Sequence, residues 1–361
     1  MVRVVQLVHR KGGHMTRVAI ASDAWNIPRY KFVGTHIYTE AMLAAARSAG
    51  VDAYALPRRE FYGKKVGGLV GPLVYQLTSR YASDIGPDDI VHQATHCASA
   101  DVDIVSIHDI APFYHRRLSD RLFRFQTEFS ARKAKRVMVT TDWMGNCLAS
   151  RFPWVRPKLC VVPYPFETPP VERLPDVYNG LWISRLAPNK DPHLYLELAS
   201  MLPEYRFALR GSTAPGWEAF GAHVTERAIS EGLVRDERMT FLPLLNESER
   251  NRLYRSVPVI VSTSHYEGFH APIMEGYVRG MKIVVPYIEP YLELYGPTDV
   301  RPCDASNVYW YAPRDVESLA AAFRRAMNSS LEAPDPGIVR RVSHAAVGQN
   351  LRTLYEEVAR R

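Results

Sequence analysis

The sequence predicts an α/β protein built from two doubly wound, Rossmann-like domains that face each other across a cleft. Three observations carry that prediction. Short apolar, strand-like runs alternate with helix-like runs along nearly the whole chain, the pattern of parallel sheets covered by helices. The alternation stops once, at a proline-dense segment, and then begins afresh. The most chemically suggestive residues follow strand-like runs directly, where parallel sheets bind their ligands. With 361 residues, 47% hydrophobic and 23% charged, the chain can bury two real cores without metal or disulfide staples.

Residues 1–16 hold basic residues and one short apolar run, 4–8, with no small-residue cleavage site after it; they read as a peripheral extension, with Met15 as an alternative start. Strands are expected at 17–23, 51–56, 89–93, 104–108, 136–141 and 158–162, with a helix over 34–50 closed by Gly50. Pro163, Pro165, Pro169, Pro170 and Pro175 then crowd one stretch, which excludes helix and central strand, so 164–177 reads as a stiff linker. Beyond it, strands are expected at 180–184, 206–210, 239–242, 257–264 and 283–287, with helices at 192–202 and 247–257. A last helix over 337–360 follows a loop containing Pro334 and Pro336. The expected divisions are an N-terminal domain over 1–163, the linker 164–177, a C-terminal domain over 178–335, and a closing segment 336–361 that packs back on the first domain.

Bulk composition narrows the function. The longest apolar stretches, such as 257–264, fall far short of the ~20 residues of a spanning helix. The formal charge of +7 favours anionic partners without choosing among phosphates, nucleic acid and an acidic lipid surface. Cys97, Cys147, Cys160 and Cys303 show no CxxC spacing, which argues against a zinc site or disulfide framework and fits a reducing cytoplasm.

Two motifs carry chemistry. The first is Glu267-Gly-Phe-His-Ala-Pro-Ile-Met-Glu275, which follows a strand and opens a helix, with Pro272 suited to the first turn and Gly280 to the end. Free N–H groups and the positive end of such a helix suit a diphosphate. Glu275, expected in the first turn, is a candidate acceptor for ribose hydroxyls, and Glu267, on the loop, for sugar hydroxyls. The second is Ser184-Arg185-Leu-Ala-Pro-Asn-Lys190-Asp191, two cations at a strand's carboxyl end before a helix start, placed to hold a pyrophosphate as its charge develops. Alone, each has a bland alternative: carboxylates that complement a helix N-terminus, and basic residues of a solvated loop.

Together they resemble the retaining GT-B glycosyltransferases of family 4, whose second domain carries G-R-L-x-P-x-K-G and S-x-x-E-G-F-G-L-P-x-x-E-A segments. Here the latter reads Ser264-His-Tyr-Glu-Gly-Phe-His-Ala-Pro-Ile-Met-Glu-Gly276, with His270 at the usual glycine and Ala271 at the usual leucine. A side chain at position 270 keeps the backbone contacts of a glycine only where φ is negative, and the ring is itself a candidate contact to sugar or acceptor. The resemblance implies a GT-B architecture with an acceptor-side first domain and a nucleotide-binding second one. It implies that Arg185 and Lys190 bind the donor diphosphate, that Glu267 contacts the sugar and Glu275 the ribose, and that Gly268, Phe269, His270 and Ala271 line the donor site. In the first half, Gly34-Thr-His36 resembles the family's glycine-led loop near the phosphates, and Val105-Ser-Ile-His108-Asp109 its strand-end His-Asp segment, with His108 at the reaction centre. The implied reaction is metal-independent transfer, with retention, from a UDP-, GDP- or ADP-sugar to a hydroxyl of a glycan, a lipid-linked sugar or a small molecule.

Other signals are discounted. Lys11-Gly12-Gly13-His14 is followed by a strand rather than a helix, so it reads as a turn. Asp101-Val-Asp103 has the D-x-D spacing of a metal site but leads into an apolar strand. The basic, phenylalanine-interleaved stretch 113–136 reads first as a domain helix with a solvated face; with a lipid-linked acceptor it becomes the candidate contact to an anionic membrane at the inner face. Two rival functions remain: a nucleotide-sugar epimerase of the same architecture, which needs acid/base carboxylates not found here, and a nucleic-acid- or anion-binding protein without catalysis, for which no recognisable motif is present. No specific nucleic-acid partner is expected.

Overall fold

The computed structural model describes residues 16–22, 34–57, 85–95, 102–109, 118–170, 172–213, 216–296 and 304–360. The 113–117 end of the basic stretch, Lys11–His14 as a turn, and Asp101 lie outside them. The described residues form two six-stranded sheets in which every strand pairing is parallel.

The first sheet holds β1 (Val18–Ser22), β2 (Ala53–Pro57), β3 (Ile90–Gln93), β4 (Ile104–Ile107), β5 (Arg136–Val139) and β6 (Leu159–Val161), in the order β2-β1-β3-β4-β5-β6. Its described helices are α1 (Gly34–Ser48), α2 (Leu118–Lys133) and α3 (Asp142–Arg151). The second sheet holds β7 (Gly180–Leu186), β8 (Phe207–Thr213), β9 (Met239–Phe241), β10 (Val259–Val261), β11 (Lys282–Pro286) and β12 (Val308–Tyr311), in the order β12-β11-β10-β7-β8-β9. Read from β9, that is the Rossmann order, with reversal between β7 and β10; in the first sheet the order reverses between β1 and β3. In both, the crevice beyond the strand ends at the reversal is the natural ligand site.

Helices cover both faces of the second sheet. α4 (Pro192–Met201), α5 (Glu218–Ser230) and α9 (Val316–Asn328) pack on one, and α6 (Glu247–Arg255), α7 (Ala271–Val278), α8 (Tyr291–Tyr295) and α10 (Pro336–Val342) on the other. The two-residue side-chain period sorts β10 between them: Val259 and Val261 join the first core and Ile260 the second. Strands β3 and β4 are buried at every position, as central parallel strands are.

The last helical segment differs from the sequence expectation. In place of one helix over 337–360 there are two, α10 and α11 (His344–Ala359). Ser343 separates them in an extended conformation (φ −66°, ψ 150°), and its hydroxyl accepts the Ala346 amide to cap α11. The break lies where the chain returns to the first sheet: Phe166 of the proline-rich segment donates its N–H to the Val342 carbonyl at 2.8 Å and bridges Ser343. A continuous helix has no free backbone groups for that bridge. Strand β10 also ends at Val261, short of the expected 264, because Ser262, Thr263 and Ser264 turn their hydroxyls to the site described below.

α11 lies against α1, where Val347, Leu351, Leu354, Tyr355 and Val358 complete the core around Tyr38, Met42, Ala45 and Ala46. The helices touch backbone to backbone at Gly348, where an added Cβ would sit 2.2 Å from the Ala45 carbonyl oxygen. Gly348→Ala therefore forces the helices apart, despite alanine's higher helix propensity, and should destabilise the protein by about 1–3 kcal/mol, read as a lower urea midpoint at unchanged slope. An unchanged or raised midpoint would contradict this packing.

Candidate active site

The two sequence motifs meet at the β7/β10 reversal. After β7 the chain makes a 3₁₀ turn, Pro188–Lys190, and Asp191 takes a left-handed conformation (φ 43°) whose carboxylate accepts the Leu194 amide and starts α4. The loop after β10 binds this turn at three points and β7 itself at a fourth. The Trp182 indole donates to Thr263 Oγ1 at 2.9 Å, and Thr263 donates to the Lys190 carbonyl at 2.7 Å. The His265 amide donates to the Asn189 carbonyl at 2.8 Å, and its ring reaches Asp191 at 2.9 Å.

Inside this lattice lies a buried ion pair. Lys190 Nζ is 2.5 Å from Glu267 Oε2, and the Ser264 hydroxyl donates to Glu267 Oε1 at 2.6 Å. His270 Nδ1 lies 3.1 Å from the same Oε1. Burial alone would raise the Glu267 pKa; His270, the Lys190 ammonium and the donated hydrogen bonds outweigh it, and the net shift is downward, so the carboxylate stays ionised. Removing either member of the pair would leave the other as a buried, uncompensated charge.

His270 precedes α7 and takes φ 61°, ψ 68°, so the requirement for a negative φ at this position does not hold: the backbone keeps a glycine's left-handed conformation with a side chain present. Such a conformation costs on the order of 1–2 kcal/mol. Offsetting it, the ring bonds the Tyr291 hydroxyl, which in turn meets Ser262 Oγ at 2.6 Å. Burial pushes the His270 pKa down to about 4, with the Glu267 charge and the nearby Ile183 backbone working against the shift; Nε2 is buried with no hydrogen bond of acceptable geometry.

α7 begins at Ala271, with Pro272 in its first turn, so Glu275 falls in the second turn rather than the first: the helix starts later than the motif spacing suggests, because His270 is still left-handed. Its carboxylate accepts from Arg250 Nε at 3.2 Å and the Tyr254 hydroxyl at 3.0 Å, with Arg279 at 3.4 Å. Arg250 and Tyr254 were not among the residues singled out by sequence; their i,i+4 spacing on one face of α6 is the signal that marks them.

The first sheet presents its strand ends to this loop. His108 follows β4; its Nε2 donates to the Ala94 carbonyl at 2.7 Å, which leaves Nδ1 as a buried acceptor with no partner. Tyr38 meets the ring edge-on and Tyr164 stacks on it, and burial pushes its pKa down to about 4, so it is neutral. Gly268 passes so close that an added Cβ would lie 2.4 Å from the His108 carbonyl oxygen. Thr141 donates to the Gly268 carbonyl at 3.4 Å, and Arg185 Nη2 lies 3.6 Å from Asp109 Oδ2 across the cleft. Phe269 is buried against Tyr164 and Phe166 of the segment between the sheets. The structure thus gathers His108, Arg185, Lys190, Glu267, Gly268, Phe269, His270 and Ala271 at one place. Gly34 is exposed at the start of α1, with open space where a Cβ would sit. Asp103, in the D-x-D pattern, is structural: it accepts the Val91 amide and pairs with Lys135.

No family model matches the chain. Two solved structures superpose on nearly all of it: Anabaena HepE, solved with UDP and glucose (TM-score 0.67, 13% identity, 95% of this chain and 100% of that one), and the sucrose-phosphate synthase of Thermosynechococcus elongatus (TM-score 0.60, 14% identity, 96% of each). The fold is GT-B. In sequence, the chain is similar to O-antigen chain mannosyltransferase B of Escherichia coli, 25% identical over 239 residues. That match covers 60% of this chain and 59% of the relative's length. The GT-B cleft is the one into which His108, Arg185 and the loop after β10 converge.

The buried rings predict a pH dependence. His108 and His270 are pushed down to about 4, and His92 in β3 to about 3, all chiefly by burial. Unfolded histidines take up protons near pH ~6.5, so below that the unfolded state binds more protons and stability falls as pH drops toward 4. Glu267, lowered from its ordinary 4.5, adds to the loss at the acid end of that window. The urea midpoint should fall steadily from pH 7 to 4.5, and less steeply in His270→Gly, which also suits the left-handed backbone. A midpoint flat over that range would mean the rings are not buried and neutral.

Proposed function

We propose that the chain is a glycosyltransferase that moves a sugar from a nucleotide-diphosphate donor to an acceptor hydroxyl, with retention at the anomeric carbon and without a metal ion. The observation that carries this reading is the interlocking of the two charged motifs at the β7/β10 reversal, directly opposite His108. It is supported by the mannosyltransferase similarity and by the fold shared with a protein solved with UDP and glucose. The names of these relatives favour transfer over epimerisation.

In this reading the diphosphate lies against the N-terminus of α7, within reach of Arg185, and Glu275 holds the ribose below it. The bond from the anomeric carbon to the bridging phosphate oxygen breaks, the acceptor oxygen bonds to the same face of that carbon, and its proton passes to the leaving phosphate oxygen. Arg185 and the helix end meet the charge that develops on that phosphate. Lys190 acts by holding Glu267 ionised at the sugar; His108 Nδ1, whose lone pair has no partner, accepts a sugar hydroxyl. Gly268, Phe269, His270 and Ala271 shape the wall between them, and Gly34 approaches the phosphates from the first domain.

A thermal-shift panel of UDP-, GDP- and ADP-sugars, run in EDTA, tests this. One nucleotide should raise the melting temperature of the wild type, and Glu275→Ala should weaken its binding at least tenfold. No shift with any of the three would sink the donor-site reading, and a shift that appears only with added metal would sink the metal-independent one.

An anionic membrane surface is the second partner we propose, for a lipid-linked acceptor. Among the described residues no helix is long and apolar enough to cross a membrane. On α2, however, Phe125 is 49% exposed and stacks on Phe129, with Arg121 and Lys133 exposed on the same helix. Co-sedimentation with vesicles containing anionic phosphatidylglycerol should exceed that with neutral vesicles, and Phe125→Glu should cut it several-fold. Equal sedimentation of variant and wild type would remove α2 from the interface.

A further inference from the structure

Arg210 is 7% exposed and, among the described residues, makes no hydrogen bond and no ion pair. It lies on β8 beside Ile183 of β7, on the face of the sheet that α6 and α7 cover, two residues beyond Ala208 of that core. Tyr254 and Arg250 lie near it; burial chiefly lowers its pKa, with Tyr254 working against the shift and the Arg250 charge adding to it. Arg250 and Arg279 already share Glu275. Glu275 thus already serves two guanidinium groups, and Arg210 has no carboxylate partner among the described residues. A largely buried guanidinium without a counter-charge destabilises the ligand-free fold, and its five donors, still reached by solvent, are matched by phosphate oxygens. Ile183, its neighbour in the sheet, also lies beside His270 at the start of α7.

We propose that Arg210 is a phosphate-binding residue of the nucleotide pocket, taking an oxygen of the donor diphosphate from the β8 side while the α7 N-terminus takes it from the other. This rests on the donor-site reading above and extends it to a residue outside both motifs. It gives the uncompensated charge its counter-ion only when donor is bound, and it makes the pocket demand a diphosphate rather than a bare nucleoside.

The test compares wild type with Arg210→Met and Arg210→Lys, titrated with the nucleoside diphosphate the wild type prefers, with inorganic pyrophosphate and with the parent nucleoside. Arg210→Met should bind nucleoside diphosphate and pyrophosphate at least tenfold more weakly and leave the nucleoside's affinity unchanged; Arg210→Lys, with its point charge, should fall between. Without ligand, Arg210→Met should melt at a higher temperature than wild type, an outcome that a merely structural arginine does not give. Equal diphosphate affinity in wild type and Arg210→Met overturns the proposal and leaves the donor site standing. Equal weakening of nucleoside and diphosphate overturns the phosphate assignment. A wild type that binds none of the nucleoside diphosphates overturns the donor-site reading, and this proposal falls with it. Should Arg210→Met fail to fold, Arg210→Lys carries the same comparison, and a lysine variant with wild-type diphosphate affinity and a lower melting temperature would mark Arg210 as structural.

Discussion

The buried pair Lys190–Glu267 is the interaction on which the site depends. Each partner belongs to a loop that follows a different strand, β7 and β10, and those strands are neighbours only because the sheet order reverses there. The pair is affordable because the loops also exchange backbone bonds: His265 to Asn189, and Thr263 to the Lys190 carbonyl. Without those bonds two charges would be withdrawn from water for one contact, which in proteins roughly breaks even at best. With them, the pair fixes the height of Glu267 above the sheet and the point at which α7 begins.

The second constraint is how closely the two sheets approach. Gly268 has no Cβ because the His108 carbonyl fills that space, and the Gly268 carbonyl in turn takes the Thr141 hydroxyl. Away from the centre, Glu293 of α8 accepts the Asp142 and Trp143 amides at 2.8 and 2.7 Å, capping α3 of the other sheet. Burial, set against those amide bonds and reinforced by Asp142 and Glu289, raises the Glu293 pKa. The chain crosses between the sheets twice, near Phe166 and near Ser343, and the two crossings bond each other. The two sheets are therefore joined at that bridge and at the contacts of Gly268 and Glu293.

Much of this was legible in the sequence, and the physical reason is locality. A buried parallel strand is a short apolar run, and a left-handed or proline-started helix end leaves its mark within a few residues, so the strands up to β11 and the two motifs can be read directly. What escapes is set by distant partners. β12 and α9 lie beyond the motifs and owe their place to the cores they complete. The closing helix reads as one element because nothing near Ser343 forbids continuation; the bridge to Phe166 breaks it. Glu275 reads as a first-turn carboxylate because the left-handed φ of His270 depends on Tyr291, which lies outside the local pattern. Arg210 gives no signal at all in sequence, since an arginine in a strand is ordinary until its burial is known.

Three polar groups without partners among the described residues lie around one crevice. His108 Nδ1 lies at the cleft and His270 Nε2 at the start of α7, both buried, and Arg210, largely buried and without an ion pair, lies beside Ile183 below it. His270 also carries the left-handed backbone of the loop. Buried polar groups without partners cost stability wherever they occur, and the cost of these three is offset elsewhere in the two cores. Each has the chemistry the others lack: a lone pair with a fixed tautomer, a neutral ring held beside a carboxylate, and a permanent cation. A ligand that satisfies all three needs hydroxyl groups at one end and phosphate oxygens at the other, and a sugar diphosphate has both.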